Sequence, residues 1–488
     1  MSQRAAERVF MVGIKGTGMT ALAEVLCRRG VAVSGSDVPE RFYTDDILRE
    51  LSVSVIEDFS AEQLPEQVDR VIHSAAYRVD TNPQLQRARE RGIPIATYPE
   101  ALGALSADCY SVGVAGVHGK TTTSAMIGVL VQALGLPGSV IVGSAVAAFG
   151  GRSTLAQGER FLVAETCEYQ RHFLAFHPDA VVLTSVEPDH LDYYRDLADV
   201  ESAFCDYLKR LPDGGTVIYC ADDSGACDVV RRVSADRPDL HLLAYGEAAD
   251  GRYRLHQLRE SPGLLAFEVG DRPLRLRVPG RHNALNAAAA VAVADLLAER
   301  FATQSTVTGA ESAATAPAEA ALSAALAAFA GTRRRAEIVG EAGGVLFMDD
   351  YAHHPTAIRT TLSGIRAFYP NRRLICDFMS HTYSRTAALL DDFASAFGDA
   401  DIVVLHRIYA SAREQFDGAI SGRDLADAMR RKHGDVRYYD DPDESVAPLT
   451  ELLRPGDLFL TMGAGDNWRL GQQLLAVCAG AGQQGGVR

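Results

Sequence analysis

Apolar and polar positions along the chain separate short strands from helices. Val9–Val12 is an unbroken apolar run, followed by a glycine-rich turn and then by helical spacing from about Met19 to Arg29. Val31–Ser34, Val68–His73 and Ile93–Ala96 read as three further strands, the second ending at Ser74-Ala75-Ala76. Strands alternating with helices predict βαβ units and a mostly parallel sheet. A second series begins at Tyr110–Ala115 and includes Phe161–Glu165, Ala180–Ser185 and Gly215–Ala221. Arg252–Val278 differs, with Leu, Arg and Glu alternating as in antiparallel strands, and a helix from Ala284 to about Arg300 closes this part. Phe301–Ala318 is rich in Thr, Ala and Ser and reads as an exposed loop or partly disordered insertion. A third series has strands at Val345–Met348, Leu374–Asp377, Ile402–Leu405 and Leu458–Thr461, and the Gly/Gln-rich end after Ala479 reads as a frayed tail. The pattern predicts three α/β units, over 1–108, 109–330 and 331–488, without short internal repeats.

Composition narrows the class. A length of 488 residues suits about three domains. With 47% hydrophobic and 23% charged residues the chain is globular rather than disordered. A formal net charge of −15 argues against a nucleic-acid or acidic-membrane partner. It leaves room for a small anion, which needs only a few cations and backbone N–H groups. The eight cysteines form no C-x-x-C pair and no zinc-like cluster with histidine, so they read as reduced thiols. No signal-peptide core opens the chain and no apolar stretch reaches 18 residues, which predicts a soluble, cytoplasmic protein.

Seven segments carry candidate chemistry, most of them where a strand ends. In Gly13-Ile14-Lys15-Gly16-Thr17-Gly18-Met19 the glycines let backbone approach a phosphate at a helix N-terminus. Asp37, about twenty residues on, stands where a ribose partner often sits. The G-x-x-G-x-G spacing is not the dinucleotide fingerprint, and a UDP group fits as well as NAD. Gly113-Val114-Ala115-Gly116-Val117-His118-Gly119-Lys120-Thr121-Thr122-Thr123 fails the strict Walker pattern at Val114. It keeps Gly-Lys-Thr between strand and helix, where N–H groups wrap phosphates, a lysine reaches the terminal oxygens and a hydroxyl holds Mg²⁺. Glu165-Thr166-Cys167-Glu168 and Glu187-Pro188-Asp189-His190-Leu191-Asp192 place carboxylates and an imidazole at successive strand ends. Asn283 and Asn286, three apart in a helix, would read a base or a phosphate, or else cap the helix. Thr332-Arg333-Arg334-Arg335-Ala336-Glu337 offers arginines for phosphate, and Asp350 in Asp349-Asp350-Tyr351-Ala352-His353-His354-Pro355 suits a ribose. An arginine in Ser380-His381-Thr382-Tyr383-Ser384-Arg385-Thr386 would hold a carboxylate through two N–H groups.

Together these segments, in this order and over nearly the whole chain, resemble the Mur ligase family of peptidoglycan synthesis. The resemblance implies an α/β protein of three domains. These are a Rossmann-like N-terminal domain for a UDP-sugar, a central P-loop-type ATPase domain with a parallel and a small antiparallel sheet, and a Rossmann-like C-terminal domain for an amino acid. It implies ATP-driven joining of L-alanine to the carboxylate of UDP-N-acetylmuramate, with Mg²⁺, in a monomer or homodimer. Carried over residue by residue, Gly116, His118, Gly119, Lys120, Thr121, Thr122, Asn283, Asn286, Arg335 and Asp350 would meet ATP. Thr121, Glu168 and His190 would serve the metal. Gly13, Gly16, Thr17, Gly18, Met19, Ser36, Asp37, Ser74 and Ala75 would hold the UDP-sugar. Tyr351, His353, His381 and Arg385 would line the amino-acid site, with Lys120, Glu168, His190 and His353 catalytic. Val117, Ser185, Ala336 and Met379-Ser380 depart from the family's usual Thr, Asn, Phe and Gln-Pro. Three other readings compete: a ligase of the same fold adding the tripeptide L-Ala-γ-D-Glu-meso-diaminopimelate, an NAD-dependent dehydrogenase, and a catalytically silent nucleotide sensor.

Overall fold

The computed structural model describes residues 6–190, 193–301, 315–410, 418 and 420–484. Leu191 and Asp192 of the fourth motif lie outside them, as do residues 302–314 and the last four. The chain is α/β, and among the described residues its strands lie in four sheets. The N-terminal sheet has five parallel strands in the order Ser54–Ile56, Ala32–Ser36, Arg8–Val12, Arg70–His73, Ile95–Thr97. Its order reverses at Arg8–Val12, so the turn after that strand opens at the switch point where α/β sheets bind ligands. Phe10 and Val12 are fully buried, packed with Val71, Leu85 and Ala88.

The central sheet has seven strands in the order His241–Tyr245, Thr216–Cys220, Ala180–Leu183, Tyr110–Ala115, Phe161–Glu165, Ser139–Val146, Arg152–Ala156. Only the last pair is antiparallel. Leu255–Ser261, Leu264–Val269 and Arg272–Leu276 form the small antiparallel sheet. The C-terminal sheet runs Glu337–Ala342, Val345–Asp350, Asp457–Gly463, Arg373–Met379, Ile402–Leu405, Val436–Tyr438, parallel except at its first pair. Cores lie on both of its faces, one around Ile358, Leu362 and Phe378, the other around Phe347, Ile375 and Phe459. Among the described residues no helix is long and apolar enough to cross a membrane.

Two compact units form. One comprises 1–187, 198–254 and 286–326; the other comprises 188–197, 255–285 and 327–488. Two expectations change. Part of the stretch read as a loop is helix, Thr315–Ala327, as its alanine content favours. The helix Trp468–Gln484 continues through what read as a tail, because Leu470 and Leu474 anchor it in the core beside Phe459.

Candidate functional site

In the first unit the strand Tyr110–Ala115 turns through Gly116 and Gly119 into the helix Lys120–Ala133. Gly119 has φ +84, a left-handed conformation that glycine adopts without strain. A Cβ there would lie 2.6 Å from Asn286 Oδ1. The turn is tied to the end of the neighbouring strand. The Val117 N–H donates to Ser185 O at 3.0 Å, and the His118 N–H donates to Ser185 Oγ at 2.9 Å. Ser185, where the family usually has Asn, thus still braces the turn. Thr184 Oγ1 donates to Ala115 O and to His118 O, and the His118 ring pairs with Glu187.

Lys120 folds back over this turn. Its ammonium donates to the carbonyls of Gly116 and Val117 and pairs with Glu168 at 2.9 and 3.2 Å. Burial opposes its charge, yet its acidic neighbours, Glu168 foremost, outweigh burial and hold the ammonium above its ordinary range. Thr121 Oγ1 donates to Glu165 Oε2 at 3.1 Å, while Glu165 also accepts the Gly143 N–H. Thr122 is buried beside them, and Thr123 Oγ1 donates to Asn286 Oδ1 at 3.2 Å. Gly116, His118, Gly119, Lys120, Thr121, Thr122, Asn286 and Glu168 therefore share one site with Glu165, which the sequence reading quoted but gave no role. Glu165 sits one turn of chain before Glu168, and its place at a strand end was the available signal.

The N-terminal glycine turn gathers its predicted residues along one sheet edge. The Gly13 N–H donates to Ser36 O at 2.8 Å, and the Ser74 N–H, beside Ala75, donates to Val12 O at 3.0 Å. The helix Thr17–Arg28 has Gly16 at its N-cap with no side-chain cap bond, which suits an anion. Gly18 lies against Tyr98, and Met19 is buried. Asp37 is engaged within the turn: it accepts the N–H groups of Lys15 at 2.6 Å and Val38 at 2.8 Å. The buried Lys15 ammonium bonds Val38 O, Glu40 O, Glu57 and Asp45, which pins the segment after the strand. Tyr43 on that segment donates to Thr17 Oγ1 at 3.0 Å.

The second unit holds the other cluster. Arg385 donates to Asp189 Oδ1 at 2.8 Å, both side chains nearly buried, and approaches His381 Nδ1 at 3.5 Å. His190, at φ +52, donates its backbone N–H to the same Asp189 oxygen at 2.7 Å. Burial would raise the Asp189 carboxyl, but the Arg385 guanidinium above all, together with the His190 backbone N–H, holds it far below the usual range. His353 Nδ1 lies 2.9 Å from Tyr351 O, so Nδ1 carries the proton and donates. Burial, helped by Arg385, keeps that ring well below ordinary imidazole basicity and therefore neutral. Tyr351 and His353 rings stand 5.2 Å apart, His353 and His381 rings 6.3 Å.

Asp350 accepts N–H groups of Ala336 and Ala352, each at 2.7 Å. Burial pushes its carboxyl up despite Arg335. The Arg335 guanidinium lies 5.3 Å from the centre of the Tyr351 ring. Asn283 donates to Pro279 O at 2.7 Å, which ties the first turn of its helix to the preceding loop, and belongs to this unit whereas Asn286 belongs to the first. His190 likewise belongs to this unit and Thr121 and Glu168 to the other. Asp189 is the second residue that sequence reading left without a role; no local pattern marks a partner 196 positions away.

Residues 8–110 match the model described as "Mur ligase family, catalytic domain", residues 114–294 the "Mur ligase middle domain", and residues 334–465 the "Mur ligase, glutamate ligase domain". A UDP-N-acetylmuramate–L-alanine ligase of Treponema pallidum is 49% identical over 96% of this chain and 96% of its own. The crystal structure of a UDP-N-acetylmuramate–alanine ligase from Thermotoga maritima superposes with a TM-score of 0.73 at 25% identity, covering 97% of this chain and 99% of that one. A murein peptide ligase from Psychrobacter arcticus shares the fold, with a TM-score of 0.65 at 21% identity over 97% of this chain and 99% of its own. Matches over all three segments, and near-complete coverage at almost half identity, place the glycine-framed lysine and the arginine–histidine cluster in a known setting: the chain belongs to the Mur ligase family.

Proposed function

We propose that this protein is an ATP-dependent ligase of peptidoglycan precursor synthesis that joins L-alanine to the carboxylate of UDP-N-acetylmuramate. The observation that carries the reading is Lys120, an ammonium framed by glycines at a helix start and held charged by a strand-end carboxylate. Full-length likeness to a relative named for these substrates supports the choice of acid and amine.

A free carboxylate resists attack because oxide is a poor leaving group. Transfer of the γ-phosphoryl group of ATP to the muramyl carboxylate gives an acyl phosphate and ADP. Lys120 offsets charge on the transferring group, and backbone N–H groups of the Gly116–Thr121 turn orient it. Thr121, Glu165 and Glu168 present hydroxyl and carboxylate oxygens, the hard donor set that suits Mg²⁺. When bound, that ion would neutralise phosphate charge.

In the second unit Arg385 receives the amino-acid carboxylate, for which Asp189 now stands as partner. The alanine amine attacks the acyl carbon and phosphate leaves. A nitrogen bonding to a carbonyl carbon becomes strongly acidic, so a weak base suffices. Neutral His353, with Nδ1–H held by Tyr351 O, offers Nε2 for that proton. The N-terminal turn takes the UDP group through the uncapped helix start at Gly16–Met19, while Asp37 and Lys15 hold the turn's shape.

The test is phosphate release from purified protein with ATP, Mg²⁺ and UDP-N-acetylmuramate, with L-alanine, with the L-Ala-γ-D-Glu-meso-diaminopimelate tripeptide, or with neither. Release dependent on L-alanine, with a product heavier by one alanyl residue, is expected. Release only with tripeptide would assign the protein to the recycling reaction instead.

A further inference from the structure

Tyr351, His353 and His381 form a line of rings, and the structure continues that line by one. The Tyr409 ring lies 6.0 Å from His381 with only 23° between planes, a stacked pair. Tyr409 follows the strand Ile402–Leu405 and His381 follows Arg373–Met379, adjacent strands of one sheet. Their loops are stitched by backbone: Tyr409 N–H donates to Ser380 O at 2.8 Å and Thr382 N–H to Tyr409 O at 3.0 Å. Thr382 has φ +69, strained for a β-branched residue, and such a conformation persists only where its surroundings enforce it.

Beneath these loops is a charged pair unusual for a core. Asp377 and His406 are both fully buried, with His406 Nε2 2.6 Å from Asp377 Oδ2. His406 Nδ1 faces Tyr439 O at 3.2 Å. Both ring nitrogens meet acceptors that cannot donate, so both carry protons and the ring is an imidazolium. Asn467 Nδ2 donates to Asp377 Oδ1 at 2.7 Å and completes the carboxylate's partners. Asp377 lies four residues before His381, and His406 three before Tyr409. The pair thus locks together the roots of the two loops whose tips stack.

We propose that Tyr409 is a specificity-determining residue of the amino-acid site, forming the wall behind His381 that limits the size of the amine substrate. His406 and Asp377 are its positioning residues. The inference rests on the alanine-ligase reading and adds a group that neither motif contains. Stacked on His381, whose ring lies 3.5 Å from an Arg385 nitrogen and 6.3 Å from the His353 ring, Tyr409 holds that ring in its place in the cluster. A methyl side chain then fits and a longer one meets the phenol ring.

The experiment compares wild type with Tyr409→Ala, Tyr409→Phe and His406→Gln in steady-state phosphate release, varying L-alanine, L-2-aminobutyrate and L-valine. In Tyr409→Ala the KM for L-alanine rises about tenfold, the two larger amino acids gain relative to alanine, and the KM values for ATP and UDP-N-acetylmuramate stay put. Tyr409→Phe keeps the ring and stays near wild type. His406→Gln moves the alanine KM in the same direction as Tyr409→Ala. An alanine KM within twofold of wild type in Tyr409→Ala overturns the proposal, as does an equal shift in all three KM values, the mark of general structural damage. A wild-type protein idle with L-alanine refutes the parent function and the inference with it, a result distinct from normal wild-type turnover and an indifferent Tyr409→Ala.

Discussion

Removing Lys120 should damage the protein twice, and the two injuries can be separated. In Lys120→Ala the Glu168 carboxylate, whose side chain is 3% exposed, loses its ion-pair partner. Breaking a buried pair from one side costs about 3–5 kcal/mol, and the partial exposure of Lys120 places this case near 3. For a unit of this size that lowers the melting transition by roughly 5 °C. Turnover should fall by about a hundredfold or more, the usual cost of deleting a group that meets developing charge. The double variant Lys120→Ala/Glu168→Gln removes the stranded charge. It should recover most of the lost stability, read by urea or thermal unfolding, and none of the turnover, read by phosphate release. A double variant as unstable as the single one would refute the ion-pair argument. A single variant within tenfold of wild-type turnover would remove Lys120 from the chemistry.

Gly119→Ala puts a Cβ 2.6 Å from Asn286 Oδ1 at φ +84, so the KM for ATP should rise while that for alanine holds, as an ATP titration would show. Arg385→Lys keeps a charge beside Asp189 but loses the planar fork, and the KM for L-alanine should rise about tenfold with little change for ATP. His406 gives a pH signature: burial lowers its basicity, but the Asp377 pair outweighs burial and raises it. Its stabilisation is therefore complete below about pH 6.5, the unfolded value, and is lost as pH rises through the higher folded value. Urea midpoints measured from pH 6 to 9 should fall for wild type and fall less for His406→Gln.

Half-exposed strands such as Ala32–Ser36 and Ile95–Thr97 are legible from their alternation with helices, whereas the strands that stand out as apolar runs are those buried on both faces. Val9–Val12, Tyr110–Ala115, Phe161–Glu165 and Ile402–Leu405 read as apolar runs because parallel sheets cover both sides. The strands that escaped notice are short, peripheral or polar. Ser54–Ile56 and His241–Tyr245 are half-exposed edge strands, and Val436–Tyr438 has no fully buried residue. The hairpin of Ser139–Val146 and Arg152–Ala156 is interrupted by glycines. In Thr315–Ala327 only Leu322 and Leu326, four apart, are buried among the described residues, and with so many alanines around it that single pair gives too short a pattern to read. The same division holds for chemistry. The Lys120 turn is legible because its parts are consecutive. The link from Arg385 to Asp189 spans 196 positions, and Tyr409 meets His381 only through sheet pairing; neither leaves a trace in local spacing.

Lys15, Lys120 and Arg385 are each paired with carboxylates, but burial separates their roles. Lys15, with its side chain 1% exposed and bonded to two carbonyls and two acids, is fixed in place; in the proposed reading the UDP phosphates would be met by backbone N–H groups rather than by that lysine. Lys120 is 16% exposed and can trade Glu168 for a phosphate. The trade has an electrostatic consequence. One ammonium flanked by Glu165 and Glu168 leaves a net negative site, and the polyanionic ATP approaching it meets like charge at short range. A divalent cation is then needed for nucleotide binding and not only for the chemical step. Calorimetric titration of wild type with ATP should show tight binding only when Mg²⁺ is present. In Glu165→Gln/Glu168→Gln the metal-free affinity should rise while the gain from Mg²⁺ shrinks. Equal metal-free affinity in both proteins would mean that these carboxylates do not face the phosphates, and the site drawn around Lys120 would have to be redrawn.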